Sequence, residues 1–416
     1  MQRRTFLKQM SLPIAASVSG LNGIANAWGQ SSSAAAPPIM LGRSLLDFIS
    51  TELHQRIAEG RSNGDLSDSF RRALAAGGRI VVPGGTYVIG SAIRVQLQRS
   101  TTLVCAPDAR IVFSGSLTSQ AFRIDGSGRY SFDVKGGTFD MSAVTAKNVA
   151  GDVGTVFDLF RTRRWSLERC EFIAGTNLSD LHGDSALDAV DCGPGTVMNC
   201  IFQGWADGGL YLSGGNDLKP DDDGDTTVIS NCVFRFCSTG VQVKRRNRHV
   251  RVHTSYFHRC HVGVGVFEVG SGEVRPGDRM TIIANSFVDC VTPIEMRGGE
   301  GLSMINENRI EDFGYLDSGR AVSPPCAILL KGASDCMISG NMIMLSNRKR
   351  AHHRGVSIEP YTVGQTIYAA TNNVVRSNTF MRLATGIYAA GTGPTHADGN
   401  GFIDVLQEQD IAAPPR

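Results

Sequence analysis

Val233-Phe234-Arg235-Phe236-Cys237-Ser238-Thr239-Gly240-Val241-Gln242-Val243-Lys244 is echoed 23 residues later by Tyr256-Phe257-His258-Arg259-Cys260-His261-Val262-Gly263-Val264-Gly265-Val266. The phrase returns 30 residues further on as Ser286-Phe287-Val288-Asp289-Cys290-Val291-Thr292-Pro293-Ile294-Glu295-Met296-Arg297. Each copy has an aromatic, then an apolar–X–apolar triplet, usually entered through Gly. The same pattern links Phe202 to Leu210-Tyr211-Leu212 and Phe380 to Ile387-Tyr388-Ala389. Such short alternating strands cannot bury a face alone. They must stack on copies of themselves, which predicts an all-β fold, a parallel β-helix. The solenoid grows in one dimension, so 416 residues fit one repeat domain instead of two or three globular ones.

Charge and cysteines narrow the surroundings. Arg3-Arg4-Thr5-Phe6-Leu7-Lys8 precedes a weakly apolar run from Met10 to Ile24 and the small-residue site Ala25-Asn26-Ala27. This layout is similar to a twin-arginine (Tat) export signal and implies a periplasmic or secreted protein. Cleavage after Ala27 removes Arg3, Arg4 and Lys8, so 41 basic residues become 38 against 39 acidic ones. The formal +2 belongs to the signal, and no global basic charge argues for nucleic acid. Ten cysteines in an exported chain invite a disulfide reading. Their register opposes it. Cys237, Cys260 and Cys290 each lie three residues after a repeat aromatic, and Cys170, Cys200 and Cys232 each lie two before one. Two columns of buried, reduced thiols are expected.

The organisation along the chain is a signal at 1–27, a linker and N-terminal helix at 28–62, the β-helix at 63–405 and a tail at 406–416. Leu45, Leu46, Phe48, Ile49, Leu53 and Ile57 predict an amphipathic helix. A second helix is expected over Ser67–Ala76, ended by Gly77-Gly78, as a lid on the first coil. Asn63-Gly64-Asp65-Leu66-Ser67-Asp68-Ser69-Phe70-Arg71-Arg72-Ala73-Leu74 and the turn Val82-Pro83-Gly84-Gly85-Thr86-Tyr87 resemble the opening of the pectate-lyase-like superfamily. The branch in question is that of the rhamnogalacturonase/epimerase-like enzymes and phage tailspikes. The resemblance implies a right-handed β-helix acting on carbohydrate.

Alternation in each triplet points its middle residue outward, with the residue two further on. Two outward columns follow. One is Asp188, Tyr211, Gln242, Gly265, Glu295, Leu329, Ser357 and Tyr388. The other is Val190, Ser213, Lys244, Phe267, Arg297, Lys331, Glu359 and Ala390. The chemistry available there is that of sugar recognition: aromatics stack on rings, amides and carboxylates take hydroxyls, and cations pair with carboxylates. Abstraction of the proton α to a uronate carboxylate, the first step of both a lyase and an epimerase, needs a cationic clamp and a base. Arg297 and Lys331 on adjacent coils are the candidate clamp, Lys244 or Tyr211 the candidate base, and Glu295 completes the catalytic set. Asp188, Gln242, Arg245, Phe267 and Glu359 are candidate substrate contacts, with Arg246 and Glu268 at the strand ends. A lyase on an acidic polysaccharide is favoured. A glycoside hydrolase would instead use two carboxyls such as Asp188 and Asp207, with Asp184, Asp191 and Glu295 as further candidates. The Asn-Thr-Asp and Gly-His-Gly blocks of polygalacturonase-like hydrolases are not in the sequence. A non-catalytic polysaccharide-binding or envelope scaffold is the rival from another class. On that view Glu295, Arg297, Lys331 and Glu359 form a solvated surface ion-pair ladder, in which each pair contributes ~0–1 kcal/mol.

Two further features carry less. The acidic run Asp217–Asp225 offers carboxylates for Ca²⁺ but lacks the full EF-hand spacing and reads first as a solvated loop. His249, His253, His258 and His261 have spacings that do not make a zinc site on strands, whereas His182 beside Gly183-Asp184 is a candidate acid or base.

Overall fold

A strand of three to six residues with one apolar side can only be satisfied by neighbours above, below and across. The computed structural model shows this solution. It describes residues 42–61, 64–115, 117, 119–144, 154–214, 226–244, 247, 249–267, 279–298, 300–314, 325–346, 352–390 and 393–411. A typical coil runs through three strands, Thr227–Ser230, Val233–Arg235 and Thr239–Lys244. Each belongs to a different parallel sheet, here called first, second and third, with 13, 12 and 12 strands among the described residues. The chain is a right-handed parallel β-helix. Arg245, Arg246, Glu268, the Asp217–Asp225 run and the export signal lie outside the described residues.

The repeat aromatics line the inside of the second sheet. Phe172, Phe202, Phe234, Phe257 and Phe287 stack nearly parallel, with ring centroids 5.2, 4.8, 4.8 and 4.7 Å apart. The glycine before each triplet is explained by the next ring. A Cβ on Gly240 would stand 2.7 Å from the Phe257 ring, and one on Gly263 would stand 2.6 Å from that of Phe287. Only glycine lets each ring sit over the coil below.

Both cysteine columns are present, and all ten thiols are free. Cys170 N–H donates to Cys200 Sγ at 3.5 Å. The column then changes chemistry without changing place. Cys232 N–H donates to Ser255 Oγ, Ser255 N–H to Asn285 Oδ1, and Asn285, Asn308, Asn341, Asn378 and Asn400 continue it amide to amide. Each buried turn thus has its backbone N–H satisfied by the coil beside it. Burial pushes the thiols of Cys105, Cys326 and Cys336 up to about 12, so these thiols are inert ones.

The N-terminal lid differs in detail from its pattern. One amphipathic helix was expected over Leu45–Ile57. The chain instead makes a two-residue strand, Arg43–Ser44, on the first sheet, a 3₁₀ turn at Leu45–Phe48 and an α-helix at Thr51–Ala58. Ile49 and Ser50 are extended and break the helix in two. The second helix is Ser67–Ala76, and it closes the first coil with Phe70 against Tyr87 and Phe122. At the other end, residues 407–411 are not a tail. They form a strand pairing with Thr385–Ala389, so the solenoid runs to Ile411.

Candidate functional site

The outer face of the third sheet carries both predicted columns in the predicted register. Asp188 pairs with Tyr211, Tyr211 with Gln242, Gln242 with Gly265, Gly265 with Glu295, and Glu295 with Leu329. Ser213 pairs with Lys244, Arg297 with Lys331, and Lys331 with Glu359. Phe267 sits just past its strand, its N–H on Val243 carbonyl. Lys244, Glu295, Arg297 and Lys331 therefore share one face.

At the centre is a short polar chain. The Gln242 amide, turned so that its nitrogen meets a carboxylate, donates to Asp207 Oδ1 at 3.2 Å and accepts from Lys244 Nζ at 2.7 Å. Gln242 is only 4% exposed, so both contacts are shielded from water and fix the amide. Lys244 Nζ lies 5.1 Å from the centre of the Tyr211 ring. The two base candidates are thus neighbours, and the ammonium is held at two points.

One coil pair further on, Arg297 Nε meets Glu295 Oε1 at 2.6 Å and its guanidinium lies 5.1 Å from the Phe267 ring centre. The Phe267 ring folds back over Gly265, where a Cβ would come within 2.3 Å of it. Glu295 and Glu359 each meet an arginine of their own coil. Glu295 is 5% exposed and pairs within its own coil. Arg354 similarly meets Glu359 at 3.1 Å and stacks 3.5 Å from the Tyr388 ring centre. Breaking such a shielded pair strands a buried charge, which is costlier than losing an exposed one.

The face extends beyond the two columns. Asp158 pairs with both Arg123 and Asp188 on neighbouring coils, and its carboxylate lies 3.1 Å from the Arg123 guanidinium. Thr155 Oγ1 donates to Asp188 Oδ2 at 3.3 Å. A third column comprises Ser185, Gly208 and Thr239 in register, and Cys326 with Arg354. Glycines such as Gly209 and Gly240 turn inward between it and the triplet, so simple alternation misses it. Where the chain enters this sheet, Asp184 carbonyl accepts from Asp207 and Gly208 N–H. His182 stands at this edge, with Nε2 2.7 Å from Asp180 Oδ1 and Nδ1 3.3 Å from Val144 carbonyl. The hydrogen bond from His182, then that from Thr176, holds the Asp180 carboxyl below its ordinary range.

His253 and His258 lie on strands of the first and second sheets, so the histidine group is divided between faces. Burial lowers the pKa of both. Among the described residues no three His, Cys, Asp or Glu side chains gather as a metal site.

No family model matches the chain, and no curated protein matches it in sequence. Solved structures do match its fold. The Azotobacter vinelandii mannuronan C-5 epimerase AlgE4 A-module is 15% identical, with a TM-score of 0.58 over 90% of this chain and 98% of that one. The fold is that of the parallel β-helix proteins. The Streptococcus pneumoniae surface protein and adhesin PfbA is 14% identical, with a TM-score of 0.59 over 88% of this chain and 99% of that one. The tailspike of E. coli bacteriophage HK620, solved with a pentasaccharide, is 14% identical, with a TM-score of 0.56 over 86% of this chain and 65% of the tailspike. These likenesses are of fold, the parallel β-helix that the repeats lead one to expect.

Proposed function

We propose that the outer face of the third sheet acts on an acidic, uronate-containing polysaccharide by removing the proton α to a uronate carboxylate. The observation that carries this reading is Lys244 held by Gln242 beside Tyr211. A base candidate fixed on a half-exposed face, with cations on the following coils, is what α-proton abstraction requires. Lys244, as the neutral amine left once its own proton has gone to solvent, or Tyr211 as the phenolate takes the proton. Lys331, with Arg297 beside it, neutralises the carboxylate and the charge that develops on it. Departure of the neighbouring sugar oxygen completes a β-elimination, and return of a proton to the opposite face completes an epimerisation. Elimination remains the favoured outcome. The epimerase and the pentasaccharide-bound tailspike among the structural neighbours support a polysaccharide as the partner.

A second reading rests on Asp158 and Asp188, two shielded carboxylates in register on adjacent coils. Retaining glycosidases place two carboxyls ~5 Å apart. Incubation with a panel of uronate polymers separates the cases. Elimination gives an unsaturated, ultraviolet-absorbing product, epimerisation changes ring configuration without cleavage, and hydrolysis gives reducing ends alone. Binding without product would make the protein a scaffold, a role that the adhesin among the neighbours supports.

The same reading places the protein outside the cytoplasm, through Arg3-Arg4 and the Ala25-Asn26-Ala27 site. Replacing both arginines with lysine should leave precursor in the cytoplasm. Normal export of that double variant would remove the twin-arginine assignment. Among the described residues no helix is long and apolar enough to cross a membrane.

A further inference from the structure

A carboxylate and a primary amide stand in line behind Lys244. Asp207 lies where its coil enters the third sheet, and its backbone is fixed by the coils on both sides. Its N–H donates to Asp184 carbonyl at 2.9 Å, and its carbonyl accepts from Thr239 N–H at 3.1 Å. Its Oδ1 accepts from the Gln242 amide nitrogen at 3.2 Å, and the Gln242 amide oxygen accepts from Lys244 Nζ at 2.7 Å. Gln242 belongs to the next coil, in register with Tyr211, and is shielded from water. Spacing made Asp207 a candidate carboxyl for hydrolysis, but the structure turns it toward an amide.

A primary amide has a donor end and an acceptor end. A carboxylate only accepts, so Asp207 selects the orientation that brings the Gln242 nitrogen to itself. The amide oxygen is then left to face Lys244. A neutral lysine amine carries two N–H donors and one electron pair. One N–H meets the Gln242 oxygen, and the electron pair stays open to a substrate proton. With the amide reversed, its nitrogen would donate to that electron pair and occupy it.

We propose that Asp207 is a positioning residue, which acts through Gln242 to keep the electron pair of Lys244 free for the uronate proton. The inference rests on the proposed function, in its form with Lys244 as the base. As the C–H bond α to the carboxylate breaks, its proton bonds to Nζ through that pair. The electrons left on carbon pass toward the carboxylate that Lys331 neutralises. Asp207 touches neither substrate nor proton. Its contribution to turnover is therefore carried wholly by the Gln242 amide. A carboxyl acting directly in hydrolysis would contribute with or without that amide.

A double-mutant cycle tests this. Polygalacturonate, polymannuronate and hyaluronan are offered to the parent protein, and kcat and KM are followed on the one it turns over best. Melting temperatures establish that each variant is folded. Asp207→Ala should lower kcat by about tenfold, the effect of one net hydrogen bond, with KM little changed. Asp207→Asn can still present an acceptor oxygen and should lose less. Gln242→Leu removes both amide ends but leaves the electron pair uncapped, so turnover should fall and persist. Adding Asp207→Ala to Gln242→Leu should lower kcat no further. Losses that multiply in the double variant, or an Asp207→Asn loss as large as that of Asp207→Ala, overturn the proposal and make Asp207 act on its own. Full turnover by folded Asp207→Ala also overturns it, and leaves the proposed function intact with Tyr211 as the base. No product from the parent on any of the three polymers removes the proposed function and this inference together.

Discussion

The two sides of the third sheet are made by the same strands and follow opposite rules. Inside, Leu210, Val241, Val264, Ile294, Ile328 and Val356 repeat one solution coil after coil, all of them fully buried. Outside, Tyr211, Gln242, Gly265, Glu295, Leu329 and Ser357 never repeat a residue type on adjacent coils. The inside must pack at a fixed coil spacing, so similar shapes recur. The outside is free of that demand and is where chemistry can be written.

The sharpest test of this contrast is on the inner side. Phe234→Ala empties one step of the aromatic stack, whose neighbours lie 4.8 Å away on both sides. It should cost roughly 3–5 kcal/mol in denaturant unfolding. A change below ~1 kcal/mol would mean that the stack is not what the coils are built on. The outer side predicts a smaller and uneven response. Arg297→Ala leaves Glu295 shielded without its guanidinium and should cost ~1–3 kcal/mol, whereas Lys331→Ala should stay within ~0.5 kcal/mol. Equal effects would return both residues to a solvated ion-pair ladder.

Much of this was legible in the residues, for a physical reason. A period of 23 to 32 residues with a fixed aromatic-to-triplet distance constrains stacking so strongly that register follows, including Asp188 and Leu329, whose spacing differs. Three things did not follow. Asp158 and Arg123 belong to the same face, but the span from Phe139 to Phe157 is too long for the phrase to mark Phe157-Asp158-Leu159 as a triplet. The column with Arg354 and Cys326 was hidden by a backbone irregularity at the inward glycines. The shielding of Glu295 and Gln242 depends on how neighbouring side chains lie down, which no spacing records. The asparagine column shares its place with the cysteines, two residues before the second-sheet residue, and could have been found from that offset.

The smallest effect expected is at the N-terminal end, where the lid meets the solenoid. Asp65 accepts from Ser67 Oγ, from Gly90 N–H at 2.8 Å, from Ser67 N–H at 2.9 Å and from Ser91 Oγ at 3.0 Å. Burial alone would push its carboxyl up, but these hydrogen bonds outweigh it and hold the pKa below 3.8. The folded state then binds the proton less readily than the unfolded one. Its contribution is complete above the unfolded pKa and fades as pH falls through 3.8 toward the lower folded value. Hydrogen exchange of the Ser67–Ala76 helix should quicken over that window, and Asp65→Asn should remove the dependence. A helix equally protected across the window in both proteins would detach the lid from Asp65.

The central claim is that the outer face of the third sheet does the chemistry while the inner face only holds it in place. Lys244→Ala tests it most directly, with turnover and binding of a uronate polymer measured on the same preparation. The account predicts an unchanged melting temperature, binding within a few-fold of the parent protein, and product formation reduced at least a hundredfold. Undiminished product formation by folded Lys244→Ala and Tyr211→Ala proteins alike would place the reaction elsewhere on the solenoid.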